Sequence, residues 1–426
     1  MLHLFFNSIV WLAFLSCWQA NAIDNPRQPI IDLKNQVEEL ALHHGPFSVQ
    51  LIEPVMTLAK LYLEASELES ATDQLHRAQN IAHRNGGVYS PRQFEAVTLL
   101  TQIALSEADY RAADIQKKFT FFVQSHHLDP QDPEILFAYA EMADWYMFTG
   151  QTRRARRLLE EGIEKATNLG LDPLPLAIEL SRARRLEGTS SVSKELLALV
   201  ERSSNSDPDT LANAYLELAD TYILARKEEI AIEYFLKASE VSPLSLSVDP
   251  SPILARGVIS DPQARRAKIY QFKKDRFNQS RMTRSTYEEI LEDFSVKPQW
   301  FIVDRKGAHQ GFIVPDRNSN LSQGREIQEL VGNPILFSKD QLNNVIPPRL
   351  KKRMEELEIE LSFTVTSGGD LEEIEVKNST APVKLDRLVI DALKKAHYRP
   401  GLFDGLPVTT NNVQLVQTFS SHDKGM

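Results

Sequence analysis

Apolar and polar positions follow two different rhythms along this chain. Up to about residue 245 apolar side chains recur every three or four positions, the period of amphipathic helices. Glu358 to Val365 alternates strictly instead, which places Ile359, Leu361, Phe363 and Val365 on one face of a half-buried strand. Ser367-Gly368-Gly369-Asp370 predicts a turn, and Ile374 with Val376 a returning strand. Leu385, Leu388, Val389, Ala392, Leu393 and Ala396 then share one stripe of a helix. Ala396-His397-Tyr398-Arg399-Pro400 ends it, because proline disfavours helical geometry in the residue before it. Asp404-Gly405-Leu406-Pro407-Val408 turns the chain into a last strand, Asn412 to Phe419. The order is strand, strand, helix, strand.

Within the helical rhythm one spacing appears three times. Leu58-Ala59, Tyr62, Ala71, Leu75 and Ala78 recur as Met142-Ala143, Tyr146, Ala155, Leu159 and Gly162. They recur again as Leu218-Ala219, Tyr222, Ala231, Phe235 and Ala238, closed by Pro243. Small residues so placed let two antiparallel helices cross closely, with Tyr and Leu or Phe filling the space between. The pattern resembles the tetratricopeptide repeat. One degenerate copy belongs in each gap, around Leu100-Thr101 with Ala113, and Leu180-Ser181 with Gly188, Leu197 and Val200. Asp-Pro pairs at 129–130, 132–133, 172–173 and 207–208 punctuate the turns. Such helix pairs bury their apolar faces against neighbours and stack into a groove.

The closing segment resembles the TonB carboxyl-terminal domain over about Asn344 to Ser420. The residues that carry the likeness are Ser367 and Gly369 in the turn, Leu385-Asp386 in the helix, Tyr398-Arg399-Pro400 at its exit, and Gly405, Pro407 and Val408 before the last strand. Pro347-Pro348 stands where the family often has Tyr-Pro, and His397 where it often has an aromatic, which leaves Tyr398 to fill the core. The expected fold class is therefore α+β, a tetratricopeptide α-solenoid over 23–245 followed by a small TonB-like ββαβ domain over 341–426. The resemblance implies a periplasmic domain that offers a strand edge to outer-membrane receptors. An extended peptide can add itself to such an edge. Asn412, Val413, Gln414, Leu415, Val416 and Gln417 are the candidate edge; the last strand has one obvious partner and lacks Pro and Lys, two usual guards against pairing.

Charge divides the chain as well. Residues 23–245 hold 34 acidic and 22 basic residues, so the helical half dominates the overall net charge of −10. That balance argues against a nucleic-acid partner. Residues 246–295 read as a basic connecting helical region; Arg256 to Arg284 carries nine basic and two acidic residues with aromatics interleaved. It offers contact with an anionic membrane surface or, more simply, a helix laid on the acidic array. Residues 296–340 echo the later strand pair, with Phe301, Val303, Gly307, Phe312 and Val314 matching Phe363, Val365, Gly369, Ile374 and Val376, as a degenerate copy or a plain hairpin.

Residues 1–22 carry no formal charge, are apolar over most of Leu4 to Leu15, and end in Ala20-Asn21-Ala22, the pattern of a cleaved secretory signal. Cleavage there would remove Cys17, the one cysteine. A second reading retains this segment as the inner-membrane anchor of a TonB-type energy transducer. The dispersed prolines provide no long Pro-rich spacer of the kind such transducers carry.

Candidate chemistry is sparse. Phosphate-binding loops, zinc-protease and nucleophile-elbow motifs do not occur. His43-His44 and His126-His127 are adjacent and point to different helix faces. No enzyme activity and no cofactor are expected. Arg153, Arg154, Arg182 and Arg185 form a basic knot that would suit a carboxylate in the groove, against the plainer reading of local pairs such as Arg156–Glu160 and Arg157–Glu161 four residues apart. The expected partners are envelope proteins or peptides, TonB-dependent outer-membrane receptors among them.

Overall fold

The small residues that recur in the sequence sit where helices cross. The structure, a computed structural model, describes residues 27–107, 109–129, 132–187, 192–202, 206–242, 247–253, 346–350 and 357–418. Its helices are α1 (Gln28–His44), α2 (Ile52–Glu64), α3 (Leu68–Gly86), α4 (Phe94–Ser106), α5 (Tyr110–His127), α6 (Glu134–Phe148), α7 (Thr152–Leu169), α8 (Leu174–Glu187), α9 (Lys194–Arg202), α10 (Pro208–Leu224), α11 (Glu228–Val241) and α12 (Val383–Leu393). The chain divides into two compact bodies between Ile103 and Ala104.

In the first body Ala59, Ala71, Leu75 and Ala78 are buried between α2 and α3. In the second, Ala143, Ala155 and Leu159 do the same for α6 and α7, and Ala219, Ala231, Phe235 and Ala238 for α10 and α11. Gly162 packs so tightly that a Cβ would press on Leu176 and Tyr139. A shared turn accompanies the shared spacing. Ser66, Gly150 and Arg226 each hold the left-handed conformation at the middle of a three-residue connection. The amide of each reaches back three residues, and the next amide reaches the carbonyl of Tyr62, Tyr146 or Tyr222. Asp207 accepts from the Thr210 amide with Pro208 in the first helical turn, and Asp132 and Asp172 accept from amides two residues on. In α9 it is Leu196 that is fully buried, with Leu197 and Val200 half-buried beside it, while Gly188 lies outside the described residues.

The strands are β1 (Ser247–Val248), β2 (Ser251–Ile253), β3 (Glu358–Val365), β4 (Leu371–Ser379), β5 (His397–Arg399), β6 (Gly401–Phe403), β7 (Leu406–Val408) and β8 (Thr410–Thr418). The antiparallel order β4–β3–β8 forms the main sheet. Leu385, Val389 and Leu393 of α12 cover its apolar face, with Ile359, Leu361, Phe363, Val365 and Leu415 beneath them. Tyr398 does fill this core, edge-on to Phe363 at 5.4 Å.

Two expectations are corrected here. Residues 247–253, assigned to a helical connection, are extended, because Pro250 and Pro252 oppose a helix and because β1 and β2 pair with β6 and β5. The basic run 256–284 and the hairpin at 296–340 lie outside the described residues. The second correction is that the helix exit is more than a turn. After Leu393 the chain forms β5, then a β6–β7 hairpin whose two-residue loop, Asp404-Gly405, has positive φ at both positions. That is the loop geometry that follows the natural strand twist.

Candidate functional site

Among the described residues the main sheet ends in two strands, β4 and β8, and they differ in chemistry. On one side β4 exposes Glu372, Glu373, Glu375 and Lys377, and Glu373 adopts φ +51 where the register with β3 slips. Charges and a bulge guard that edge. On the other side β8 pairs with β3 from Glu358↔Thr418 to Val365↔Thr410, and no further strand joins it among the described residues. Its one irregularity is near Asn412, where φ is +58. From Val413 to Gln417 the pairing is continuous and carries neither Pro nor a charged side chain. Leu415 and Gln417 are buried and Val413 half-buried toward α12, while Asn412, Gln414 and Val416 are exposed.

The motif residues do different work from one another. Leu385 is core, and Asp386 accepts a hydrogen bond from Ser379 at 2.7 Å, tying α12 to β4. The Ser367 amide donates to Thr409 at 3.2 Å and so joins the β3–β4 turn to the start of β8. Pro400 is buried between β5 and β6, and Pro407 and Val408 form β7. The remaining motif positions face the helical array. Gly369, at φ +81, abuts the Tyr398 carbonyl and Ile223 of α10 so closely that any Cβ would collide. Gly405, at φ +76, lies equally close to Ser239 of α11. Arg399 reaches Asp220 of α10 with two hydrogen bonds, from Nε at 2.8 Å and from Nη2 at 2.7 Å.

Asp220 belongs to a buried charge cluster. Arg185 lies 3.8 Å from Asp220 and 3.1 Å from Glu217, and Arg182 meets Glu179 at 2.7 Å and Glu217 at 3.5 Å. Glu217 is 1% exposed. Burial pushes its carboxyl upward, against the pull of Arg185 and Arg182. Burial opposes the charge on Arg399, but the Asp220 carboxylate more than offsets it and the guanidinium is held above its ordinary value. Arg182 and Arg185, expected in a groove for a partner's carboxylate, thus meet carboxylates of their own chain. Arg156 likewise meets Glu160 at 3.0 Å and Glu187 at 3.2 Å. Arg153 and Arg154 stay half-buried on α7, with Arg154 donating to Gln151 at 3.4 Å. Beside the cluster, exposed Arg226 meets Asp370 at 2.6 Å, and His397 stands 3.4 Å from the same carboxylate. Among the described residues no group of three or more potential metal ligands occurs, and no helix is long and apolar enough to cross a membrane.

A tetratricopeptide-like helical region followed by a small sheet domain is a protein-interaction architecture, and neither fold is catalytic in itself. Residues 343–417 match the family described as the Gram-negative bacterial TonB protein C-terminal domain. Solved structures similar to this chain include the nearly identical TPR-like repeats of a kinesin light chain from Podosopora anserina. That likeness is 19% identical, with a TM-score of 0.33, and covers 45% of this chain and 93% of the other. BtubC (BKLC) from P. vanneervenii is 16% identical with a TM-score of 0.34, covering 56% of this chain and 98% of its own. No curated protein matches the sequence.

Proposed function

We propose that this protein is an exported, periplasmic interaction adaptor of the TonB type, which captures an extended segment of an envelope protein along β8 and is linked to TonB-dependent outer-membrane transport. The observation that carries the reading is the asymmetry of the sheet among the described residues: β4 carries charges and a bulge, whereas β8 is regular from Val413 to Val416 and carries neither charge nor proline there. An incoming strand would pair with the main chain there and read Gln414 and Val416 on one face and the Val413–Leu415 side on the other. The helical array supplies a second protein-binding surface. The family match at 343–417 and the signal-like residues 1–22 support the envelope assignment.

Two variants test the edge with synthetic peptides spanning the receptor segments that TonB-type domains bind. Gln414→Pro fixes the local backbone and removes a donor; Val416→Lys adds the charge that natural edges use as a guard. Both are expected to lose peptide binding while melting like the parent. A folded variant of either kind that binds as tightly as the parent would sink strand addition at β8. Amino-terminal sequencing of the exported protein is expected to begin at Ile23; a retained Met1 in the membrane fraction would favour an anchored transducer instead.

A further inference from the structure

One side of the carboxyl-terminal domain is docked on α10 and α11 of the helical array. Leu402 of β6 joins Ala219, Ile223 and Phe235 in one core cluster, and the bidentate Arg399–Asp220 pair lies beside it. Another side is roofed by α12, whose Leu385, Val389 and Leu393 are buried on the sheet. At about 3.6 residues per turn, Lys384, Arg387 and Asp391 fall on the opposite face of that helix. All three are exposed, and Lys394 and Lys395 extend the row in the turn that closes the helix. From Lys384 to Lys394 it runs about 15 Å, at roughly 1.5 Å per residue.

These cations differ from the arginines described above. Arg156, Arg182, Arg185, Arg226 and Arg399 each meet a carboxylate of this chain. The side chains of Lys384, Arg387, Lys394 and Lys395 make no ion pair and no hydrogen bond among the described residues. Four cations against Asp391 leave the row with a net charge of +3. Helix stability does not account for it. Cations at the carboxyl end suit the helix dipole, but Lys384 stands in the first turn, where a positive charge is unfavourable. The glutamates of this domain gather instead on β4, as Glu372, Glu373 and Glu375, so the two signs of charge are carried by different elements.

A flat anionic surface suits this face better than a folded protein does. Protein interfaces centre on aromatic or arginine anchors desolvated in pockets. The outer face of α12 is convex, and the exposed apolar side chain beside the row is Val383 at the start of the helix. A bilayer with anionic headgroups needs no pocket and attracts each cation that nears its plane. We propose that the exposed face of α12, with Lys384, Arg387, Lys394 and Lys395, is a docking surface for an anionic lipid bilayer. The contact does not use β8, so it stands whatever β8 binds.

The test mixes full-length protein with vesicles of phosphatidylcholine alone or of an equal mixture with phosphatidylglycerol. Binding is expected to the anionic vesicles only, and is expected to be lost at about 1 M salt, where the screening length is about 3 Å. Lys384→Gln with Arg387→Gln should weaken it about 25-fold, about fivefold for each charge removed near an anionic surface, while melting like the parent. Lys384→Arg with Arg387→Lys should bind like the parent. Residues 256–284 are basic as well, so acetylation read by mass spectrometry locates the contact. Lys384, Lys394 and Lys395 are expected to react in the free protein and to be protected by anionic vesicles. Parental binding by the folded double Gln variant, or vesicle binding that leaves these lysines reactive, would assign the contact to another segment and end the proposal. It fails too if the three lysines are unreactive before vesicles are added, since the chain itself would then cover the face. Protection by polyglutamate but not by vesicles would make the face a site for an acidic protein, and the bilayer proposal would be wrong.

Discussion

Arg399 and Asp220 lie 179 positions apart in sequence and meet through two parallel hydrogen bonds of 2.8 and 2.7 Å. Removing one member of a buried pair leaves the other charge uncompensated, at a cost of about 3–5 kcal/mol. Asp220→Ala is therefore expected to lower the melting temperature. It should also speed amide exchange at Ser251, Ile253 and residues 397–399, where β2 and β5 pair beside the contact. Unchanged exchange in those two strands would show that the pair does not hold the domain.

His397 gives the junction a pH dependence. Burial lowers its pKa below the ordinary 6.5, Arg226 lowers it further, and Asp370 pulls the other way. The folded state thus resists protonation more than the unfolded chain does. This contribution is fully present above about pH 6.5 and is lost as pH falls from there through the depressed folded value. Melting curves between pH 7.5 and 5, roughly the range over which histidine titrates, should show that loss, and His397→Gln should reduce it. An identical slope in the variant would assign the effect elsewhere.

Ala219 is fully buried where α10 crosses α11. Leucine there must displace neighbours in a packed core, so Ala219→Leu should cost about 1–3 kcal/mol. An unchanged melting temperature would remove the support for the crossing geometry.

Arg226 has φ +58 at the turn where an equivalent hairpin uses Gly150. Relieving a left-handed non-glycine residue gains about 1–2 kcal/mol, while its exposed pair with Asp370 contributes about 0–1 kcal/mol. Arg226→Gly should therefore leave global stability within about 1 kcal/mol of the parent or slightly raise it, with the loss confined to faster exchange at the Asp370 turn. A large fall in melting temperature would mean that the pair is worth far more than its exposure suggests.

The helical hairpins were legible because their signal is local and repeated: an alanine twelve positions before another reports a helix crossing wherever it falls. The sheet domain was legible through the alternation of Glu358 to Val365 and through its turn residues. The docking was not. Asp220 and Glu217 read as ordinary helix polar residues, although they share the face of Leu216, Ala219 and Ile223, and charges set in an apolar stripe are the signal that was available. Residues 247–253 read as the start of a connecting helical region despite their two prolines; only the distant partners β5 and β6 make them strands. Arg182 and Arg185 looked like a ligand clamp because Glu217 and Asp220, which they meet beside Glu179 of their own helix, come from α10.

Strands β1 and β2 also blur what counts as a module. By connectivity residues 247–253 are the tail of the helical array; by hydrogen bonding they are the outer strands of the carboxyl-terminal domain. A cut at 245 deprives β5 and β6 of their neighbours, and a cut at 341 leaves the final repeat without Leu402. Neither half can be transplanted as a self-sufficient cassette, and any substitution of one for a homologous part must carry the seven-residue seam with it.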